Sequence, residues 1–385
     1  MEEDKRISQN EKVISFQSLR VILSGGGTGG HIFPAVAIAN EIRKLVPHSE
    51  ILFVGAIGKM EMEKVPAAGY RIIGIDIAGL QRKFTLANFK LPYLIIKSLL
   101  SARKIIKEFR PDVVVGTGGY ASGPLLRAAT ANGIKALIQE QNSYAGITNK
   151  ILSAKVNKIC VAYEGMENFF PKEKIMLTGN PVRQDIVNIA EKRNEAFAFF
   201  KLDPNKRTVL VVGGSLGAKA INEAIGSGLQ KFADNDIQLV WQTGKIYFET
   251  AKQQTKGFEN KNITAVDFIS RMDLAYAFAD VVISRAGAGA ISELCIVQKP
   301  CLLVPLPTAA EDHQTKNAMA LVNKNAAILV KDTEATKVLV DRAIQLVNNT
   351  AEQETLKTNM KQLAFLNSAN IIAKEVLKLA NYKLE

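Results

Sequence analysis

Cysteine and histidine are both scarce in this 385-residue chain, at three of each. Cys160, Cys295 and Cys301 lack C-x-x-C spacing, which argues against a disulfide framework or a thiolate metal site and makes the cytoplasm the natural compartment. Cys295 and Cys301 stand in apolar stretches and are expected as small core residues. His31, His48 and His313 are too scattered for a recognisable cluster, so no protein-built zinc site is expected. No apolar run reaches the ~18–20 residues of a membrane-spanning helix. The first residues, MEEDKRISQNEK, have no apolar core of the kind a secretion signal carries. Charge leans one way: 49 Lys and Arg against 37 Asp and Glu leave a formal +12. That surplus favours an anionic partner, whether nucleic acid, lipid headgroups or a phosphorylated substrate. Hydrophobic residues at 47% and charged ones at 22% exclude a disordered or collagen-like chain. At roughly 100–200 residues per domain, the length suggests two domains.

Short apolar runs alternate with helix-length segments along almost the whole chain. Val21-Ile22-Leu23, Ile51 to Val54, Val113-Val114-Val115 and Ala136-Leu137-Ile138 predict buried parallel strands in the first half. Val209 to Val212, Ile237 to Trp241, Val281-Val282-Ile283 and Cys301 to Val304 predict the same in the second. Each half opens with strand, glycine turn and helix, at Gly25 to Gly30 and at Gly213 to Gly217. Each repeats the device, at Gly116-Thr117-Gly118-Gly119 and at Ser284 to Gly289. This predicts an α/β protein of two doubly wound domains, whose ligands lie beyond the carboxyl ends of the strands, where the four turns sit. The boundary is placed near Gly179 to Arg183. It leaves an extension at 1–18, a first domain at 19–181, a second at 182–367, and a helical segment from about 368 to 385 expected to pack back on the first.

The first glycine turn contains G-x-G-x-x-G, which invites a dinucleotide reading. That reading needs an acidic residue at the end of the second strand, and Phe53-Val54-Gly55-Ala56 offers none. What remains is backbone without side chains at a helix N-terminus, suited to a phosphate or a hydroxyl-rich group. His31, beside that turn, can accept a proton from a substrate hydroxyl as general base, or bond the loop backbone as a structural residue. Gly213-Gly214-Ser215-Leu216-Gly217 also fits the serine nucleophile elbow, with Asp267 or Asp280 and His313 as partners. A phosphate contact from Ser215 suits the other three turns better. Glu293, one to two turns into the helix after Arg285, can hold a ribose diol or simply face solvent. Asp234-Asn235-Asp236 has a D-x-D spacing but precedes its strand and reads as a turn. From Arg82 to Arg110, eight basic residues and one Glu interleave with apolar ones. That describes either a segment lying on an anionic membrane surface or an amphipathic helix with a solvated basic face. No recognised nucleic-acid module accompanies the charge, so nucleic acid is not expected as partner.

Six motifs then come in order: Gly25 to Pro34, Gly116 to Pro124, Glu140-Gln141-Asn142, Thr178 to Arg183, Gly213 to Ala218, and Asp312-His313-Gln314. Together they resemble the lipid II-forming N-acetylglucosaminyltransferases of bacterial peptidoglycan synthesis, from about Arg20 to the C-terminus. The resemblance implies a GT-B fold, two Rossmann-like domains facing across a cleft. It implies inverting transfer of GlcNAc from UDP-GlcNAc to the 4-hydroxyl of undecaprenyl-pyrophosphoryl-MurNAc-pentapeptide, peripherally, at the cytoplasmic face of the inner membrane, without a metal or other cofactor. Contact with other cell-wall synthesis proteins belongs to the same picture. Carried across by position, His31 would be the general base and Thr28, Gly29 and Gly30 donor contacts. Asn142 would face the sugar, and Arg183 and Ser215 the diphosphate. Ile269 would meet the uracil through its backbone, Ala288 to Glu293 would hold ribose and α-phosphate, and Gln314 the GlcNAc hydroxyls. Gly118, Gly119 and Tyr120 would lie near the acceptor pyrophosphate. Ala286 to Ala290 is poorer in hydroxyls than such relatives, so phosphate contacts there would come from backbone. The rival readings are another lipid-directed GT-B transferase, such as one acting on diacylglycerol, the serine hydrolase, and a non-catalytic nucleotide-sugar-binding protein.

Overall fold

The computed structural model describes residues 18–77, 91–214 and 216–384. The extension expected at 1–18, apart from Ser18, the stretch 82–90 of the basic segment, and Ser215 therefore lie outside the described residues. The first sheet is built from β1 (Arg20–Gly25), β2 (Glu50–Ala56), β3 (Arg71–Ile75), β4 (Val113–Gly118), β5 (Lys135–Glu140), β6 (Lys158–Val161) and β7 (Ile175–Leu177). Its strands are all parallel, in the order β3-β2-β1-β4-β5-β6-β7. The second contains β8 (Thr208–Val212), β9 (Gln238–Gln242), β10 (Ile263–Val266), β11 (Val281–Ser284), β12 (Cys301–Leu303) and β13 (Ile328–Leu329). It too is parallel, in the order β10-β9-β8-β11-β12-β13.

The eight strands expected from apolar runs are the contiguous centres of the two sheets. The five others, β3, β6, β7, β10 and β13, are all outer. Period-two alternation sends the central side chains into separate cores on opposite faces. Val21 and Leu23 of β1 join Val113 and Val115 of β4 on one face, while Ile22 and Val114 point to the other. Val209 and Val211 likewise part from Leu210. Covered on both faces, such strands can be apolar throughout, each fully buried aliphatic side chain contributing about 1.5–3 kcal/mol. The helix Ser368–Leu379 returns to the first lobe. Ile372, Ala373, Val376 and Leu377 enter its core beside Ile38 and Ile42, and Asn370 donates to Glu41 at 3.1 Å. All three cysteines are buried, and burial pushes the Cys160 and Cys295 thiols up to about 12.

In both lobes the strand order reverses beside the first strand, and there two glycine turns meet. Gly26 N donates to Gly118 O at 3.3 Å. A Cβ on Gly119, whose φ is +88°, would collide with the Gly26 carbonyl, and one on Gly25 with Thr117 and the His31 carbonyl. Gly217 (φ +82°) and Gly244 (φ +75°) interlock in the same way in the second lobe, where a Cβ on Gly217 would strike the Thr243 carbonyl. Much of the glycine in these turns thus serves backbone-to-backbone packing. Gly27, Gly214, Gly287 and Gly289 are the ones whose Cβ position faces open space.

Gly133 offers a control, with φ +74° and no neighbour within 4 Å. Gly133→Ala should cost about 1–2 kcal/mol from left-handed backbone alone. Gly217→Ala should cost roughly 1–3 kcal/mol more, because carbonyl and Cβ cannot share the space. Urea denaturation of both variants measures the difference; equal losses would remove the packing argument.

Candidate active site

The carboxyl edges of the two sheets face each other. Asn142 and Ser143 follow β5, and Asn317 lies in the helix His313–Val322 that follows β12. Ser143 donates to Asn317 Oδ1 from its backbone N at 2.9 Å and its hydroxyl at 3.1 Å, and Asn317 Nδ2 donates to Asn142 Oδ1 at 3.1 Å. Asn180, after β7, donates to Ser292 Oγ at 3.0 Å in the helix Ala288–Val297. The Lys316 ammonium lies 3.3 Å from the centroid of the Tyr144 ring, a cation–π contact across the seam. These bonds join the carboxyl edge of one sheet to that of the other.

On the first-lobe side, the helix Gly29–Leu45 starts at Thr28, whose hydroxyl makes no capping bond, and its first turn holds no acidic residue. Gly27, Thr28 and Gly30 are exposed, with Gly29 half-buried. No side chain of the helix's own first turn thus caps its free N–H groups. His31 sits in this first turn. Its Nδ1 is 2.8 Å from Gln141 Oε1, and its imidazole lies where a Cβ on Gly118 (φ +104°) would be, 2.7 Å from Nδ1. His31, Gly118 and Gly119 are thus brought together, with Tyr120 half exposed beside them. Behind the turn is a residue that motif reading passed over. Glu61 is buried and accepts from Gly27 N at 2.8 Å and Ala56 N at 3.0 Å. The carboxylate missing from β2 for a dinucleotide thus stands nearby, but its oxygens are taken by loop backbone. Glu140 works similarly, accepting from Asn142, Gly146 and Asn149 and bracing the loop after β5.

On the second-lobe side, the helices Lys219–Ser227 and Ala288–Val297 begin without side-chain caps or acidic residues in their first turns. Glu293 of the latter accepts from the Tyr276 hydroxyl at 2.9 Å, and Arg183 Nε stands 3.6 Å from its other oxygen. Burial pushes the Glu293 carboxyl above its usual range, while the Arg183 guanidinium pulls it back. Arg183 and Glu293, two residues far apart in sequence, are thereby paired. Arg183 also stands 3.9 Å from Asp185. Tyr276 carried no sequence signal; it occupies a buried helix between β10 and β11. Ala288 opens its helix. Ile269 puts its side chain into the second-lobe core, and Gln314 Oε1 accepts from Leu306 N at 2.9 Å. Asn142 is engaged by Glu140 and Asn317, so its amide forms part of the seam.

The hydrolase constellation does not assemble from its partners. Asp280 lies at the amino end of β11, the opposite edge of the sheet, bound to Thr208 N at 2.8 Å and Arg193 at 3.1 Å. Asp267 accepts from Phe268 N, and His313 Nδ1 bonds the Ala310 carbonyl. Asp236 pairs with Lys206 on the far edge, as a turn residue.

Residues 21–161 match the glycosyltransferase family 28 N-terminal domain, and residues 208–376 match the C-terminal domain of that family. The chain is 55% identical over 364 residues to the UDP-N-acetylglucosamine–N-acetylmuramyl-(pentapeptide) pyrophosphoryl-undecaprenol N-acetylglucosamine transferase of Parabacteroides distasonis, covering 94% of this chain and 99% of that one. It is 57% identical over 366 residues to the protein of the same name from Phocaeicola vulgatus, covering 95% and 97%. Among solved structures it is similar to MurG of Acinetobacter baumannii, with a TM-score of 0.76 at 29% identity over 94% of this chain and 99% of that one.

The Tyr276–Glu293 bond is testable without substrate. Tyr276→Phe should cost about 1 kcal/mol, since a partly buried carboxylate oxygen loses its donor. Glu293→Gln should cost less, because the amide oxygen can still accept from the phenol. Thermal denaturation at neutral pH measures both, and equal losses would contradict the assignment.

Proposed function

The chain belongs to glycosyltransferase family 28, and within it to the pyrophosphoryl-undecaprenol N-acetylglucosamine transferases; on that premise we propose how its cleft carries out the transfer. The enzyme moves GlcNAc from UDP-GlcNAc to the 4-hydroxyl of undecaprenyl-pyrophosphoryl-MurNAc-pentapeptide, the step from lipid I to lipid II in peptidoglycan synthesis. The supporting observation is the cleft itself. A partly exposed imidazole on one wall faces uncapped helix N-termini and an Arg–Glu pair on the other, all at the carboxyl edges of two parallel sheets.

In this reading the acceptor belongs to the first lobe, residues 19–181 with the returning helix near 368–385, and the donor to the second, 182–367. His31 takes the proton of the acceptor hydroxyl as its oxygen attacks C1 of the sugar. The bond from C1 to the β-phosphate oxygen breaks, UDP leaves with the electron pair, and the configuration at C1 inverts. The departing diphosphate is met by amide N–H groups at Gly214 and at the start of the Ala288–Val297 helix, by Arg183, and by Ser215. Glu293 holds the ribose, the Ile269 backbone the uracil, and Asn142 and Gln314 the GlcNAc. Thr28, Gly29 and Gly30 touch the donor near the reacting carbon. Gly118, Gly119 and Tyr120 face the acceptor pyrophosphate.

Among the described residues no helix is long and apolar enough to cross a membrane. The helix Leu91–Phe109 instead exposes Tyr93, Ile96 and Leu100, followed on the same stripe by Arg103 and Lys107. Apolar side chains continued by basic ones suit the headgroup boundary of an anionic leaflet. We assign the enzyme peripherally to the cytoplasmic face of the inner membrane, where its lipid-linked acceptor is held.

Radiolabelled UDP-GlcNAc with a lipid I analogue tests the reaction. Transfer from UDP-GlcNAc in preference to UDP-Glc and UDP-Gal is expected, and selective use of glucose or galactose would sink the reading. His31→Ala should lower turnover about 10²–10⁴-fold; near-normal turnover would refute the base. A triple Arg103→Glu, Lys104→Glu, Lys107→Glu variant should lose sedimentation with anionic vesicles while keeping transfer to a water-soluble acceptor. Unchanged sedimentation would count against the membrane face.

A further inference from the structure

The side chain of Gln141 connects His31 to a buried row of amides whose directions can be read from the backbone. Asn180 Nδ2 donates to the Gln141 carbonyl at 3.0 Å, a group that can only accept, so Asn180 Oδ1 is the acceptor end. That oxygen lies 2.9 Å from Gln139 Nε2, which is therefore the donor, leaving Gln139 Oε1 to accept from Gln141 Nε2. The carbonyls of Thr117 at 2.7 Å and Gln139 at 3.0 Å also stand around Gln141 Nε2, whose two hydrogens are shared among the three acceptors. Every neighbour of that nitrogen is an acceptor, so the amide cannot be flipped. Its Oε1 is the end facing His31. All three amides are buried, at 0–3% exposure, so water does not compete for these bonds.

An amide oxygen carries no proton to give. The 2.8 Å approach of His31 Nδ1 to Gln141 Oε1 therefore requires that Nδ1 bear the hydrogen. We infer that Gln141 is a positioning residue that locks neutral His31 in the Nδ1–H tautomer, leaving Nε2 as the ring atom that receives the acceptor's proton. Nε2 has no protein partner among the described residues. The lock is continuous with the seam between the lobes, because Asn180 Nδ2 also donates to Ser292 Oγ of the donor-side helix. A carboxylate does this job in the serine-protease triad; here a neutral amide does it, oriented by carbonyls rather than by charge. The inference takes its functional weight from the transferase reading above, but the tautomer stands on the bonds alone.

The experiment uses full-length protein labelled with ¹⁵N-histidine, in which the three imidazoles are few enough to resolve. Long-range ¹H–¹⁵N spectra, taken at a pH where the rings are neutral, distinguish protonated from bare ring nitrogens. His31→Ala identifies the His31 signals by their loss. The expected spectrum shows His31 with a protonated Nδ1 and a bare Nε2; a bare Nδ1 overturns the inference whether or not any variant folds. Gln141→Met, similar in volume but without an acceptor oxygen, should release the tautomer toward Nε2–H. It should also lower kcat about 10²–10⁴-fold, with KM for UDP-GlcNAc changed by no more than a few-fold. A merely structural Gln141 would show lost thermal stability with kcat and the His31 spectrum unmoved, and that result also overturns it. Absence of GlcNAc transfer by the wild-type enzyme would instead remove the functional reading, and the wild-type spectrum would still decide the tautomer.

Discussion

Two parallel strands lie about 4.8 Å apart, and where their outgoing turns must also pass one another there is no room for a Cβ. This close approach governs the architecture of both lobes. At Gly25 and Gly119 in the first, and at Gly217 and Gly244 in the second, one segment rests on another's backbone. The contact fixes where each following helix begins, and so where its unpaired N–H groups point. It also leaves the first turn of the Gly29–Leu45 helix against β4, which is how His31 comes to lie over Gly118 and beside Gln141. The placement of His31 is in this sense a by-product of how two turns share a sheet edge.

Polar side chains do the remaining work by occupying one another. Glu61 and Glu140 are acidic residues beside the cleft, yet both are already occupied by donors, Glu61 by the backbone of the first glycine turn and of the end of β2, Glu140 by the segment that follows it. Bound this way they brace the walls, and their acceptor capacity is used before a ligand arrives. Glu293 follows the same pattern more loosely, with Tyr276 on one oxygen and Arg183 at longer range on the other. That looser arrangement leaves it the freest of these three carboxylates to exchange a partner for a ribose hydroxyl.

Legibility in the sequence followed burial. β1, β4, β8 and β11 each carry an unbroken run of three or four aliphatic residues because both faces are covered, so their runs stand out. The outer strands β7 and β13 are three and two residues long, and β3, β6 and β10 mix glycine, threonine or cysteine into short runs, so nothing distinguished them from loop. Of the candidate residues, those next to glycine turns were visible because the turn announces a helix start. Tyr276 was not, and Gln141 stood inside a motif with no role of its own. An amide that orients a histidine and a phenol that holds a carboxylate have no spacing rule, since their partners are 110 and 17 residues away. Glycine itself was only half readable: composition cannot separate residues that make room for a ligand from those that make room for another turn.

The return of the last helix to the first lobe means that the polypeptide passes between the lobes twice, once after β7 and again just before Ser368. A single tether would let one lobe twist and swing about any axis through it. Two crossings that run in opposite directions and touch one another, Gly179 of the first lying against Phe365 and Ser368 of the second, leave fewer such axes than one would. The doubled connection thereby ties the alignment of one wall of the cleft to that of the other.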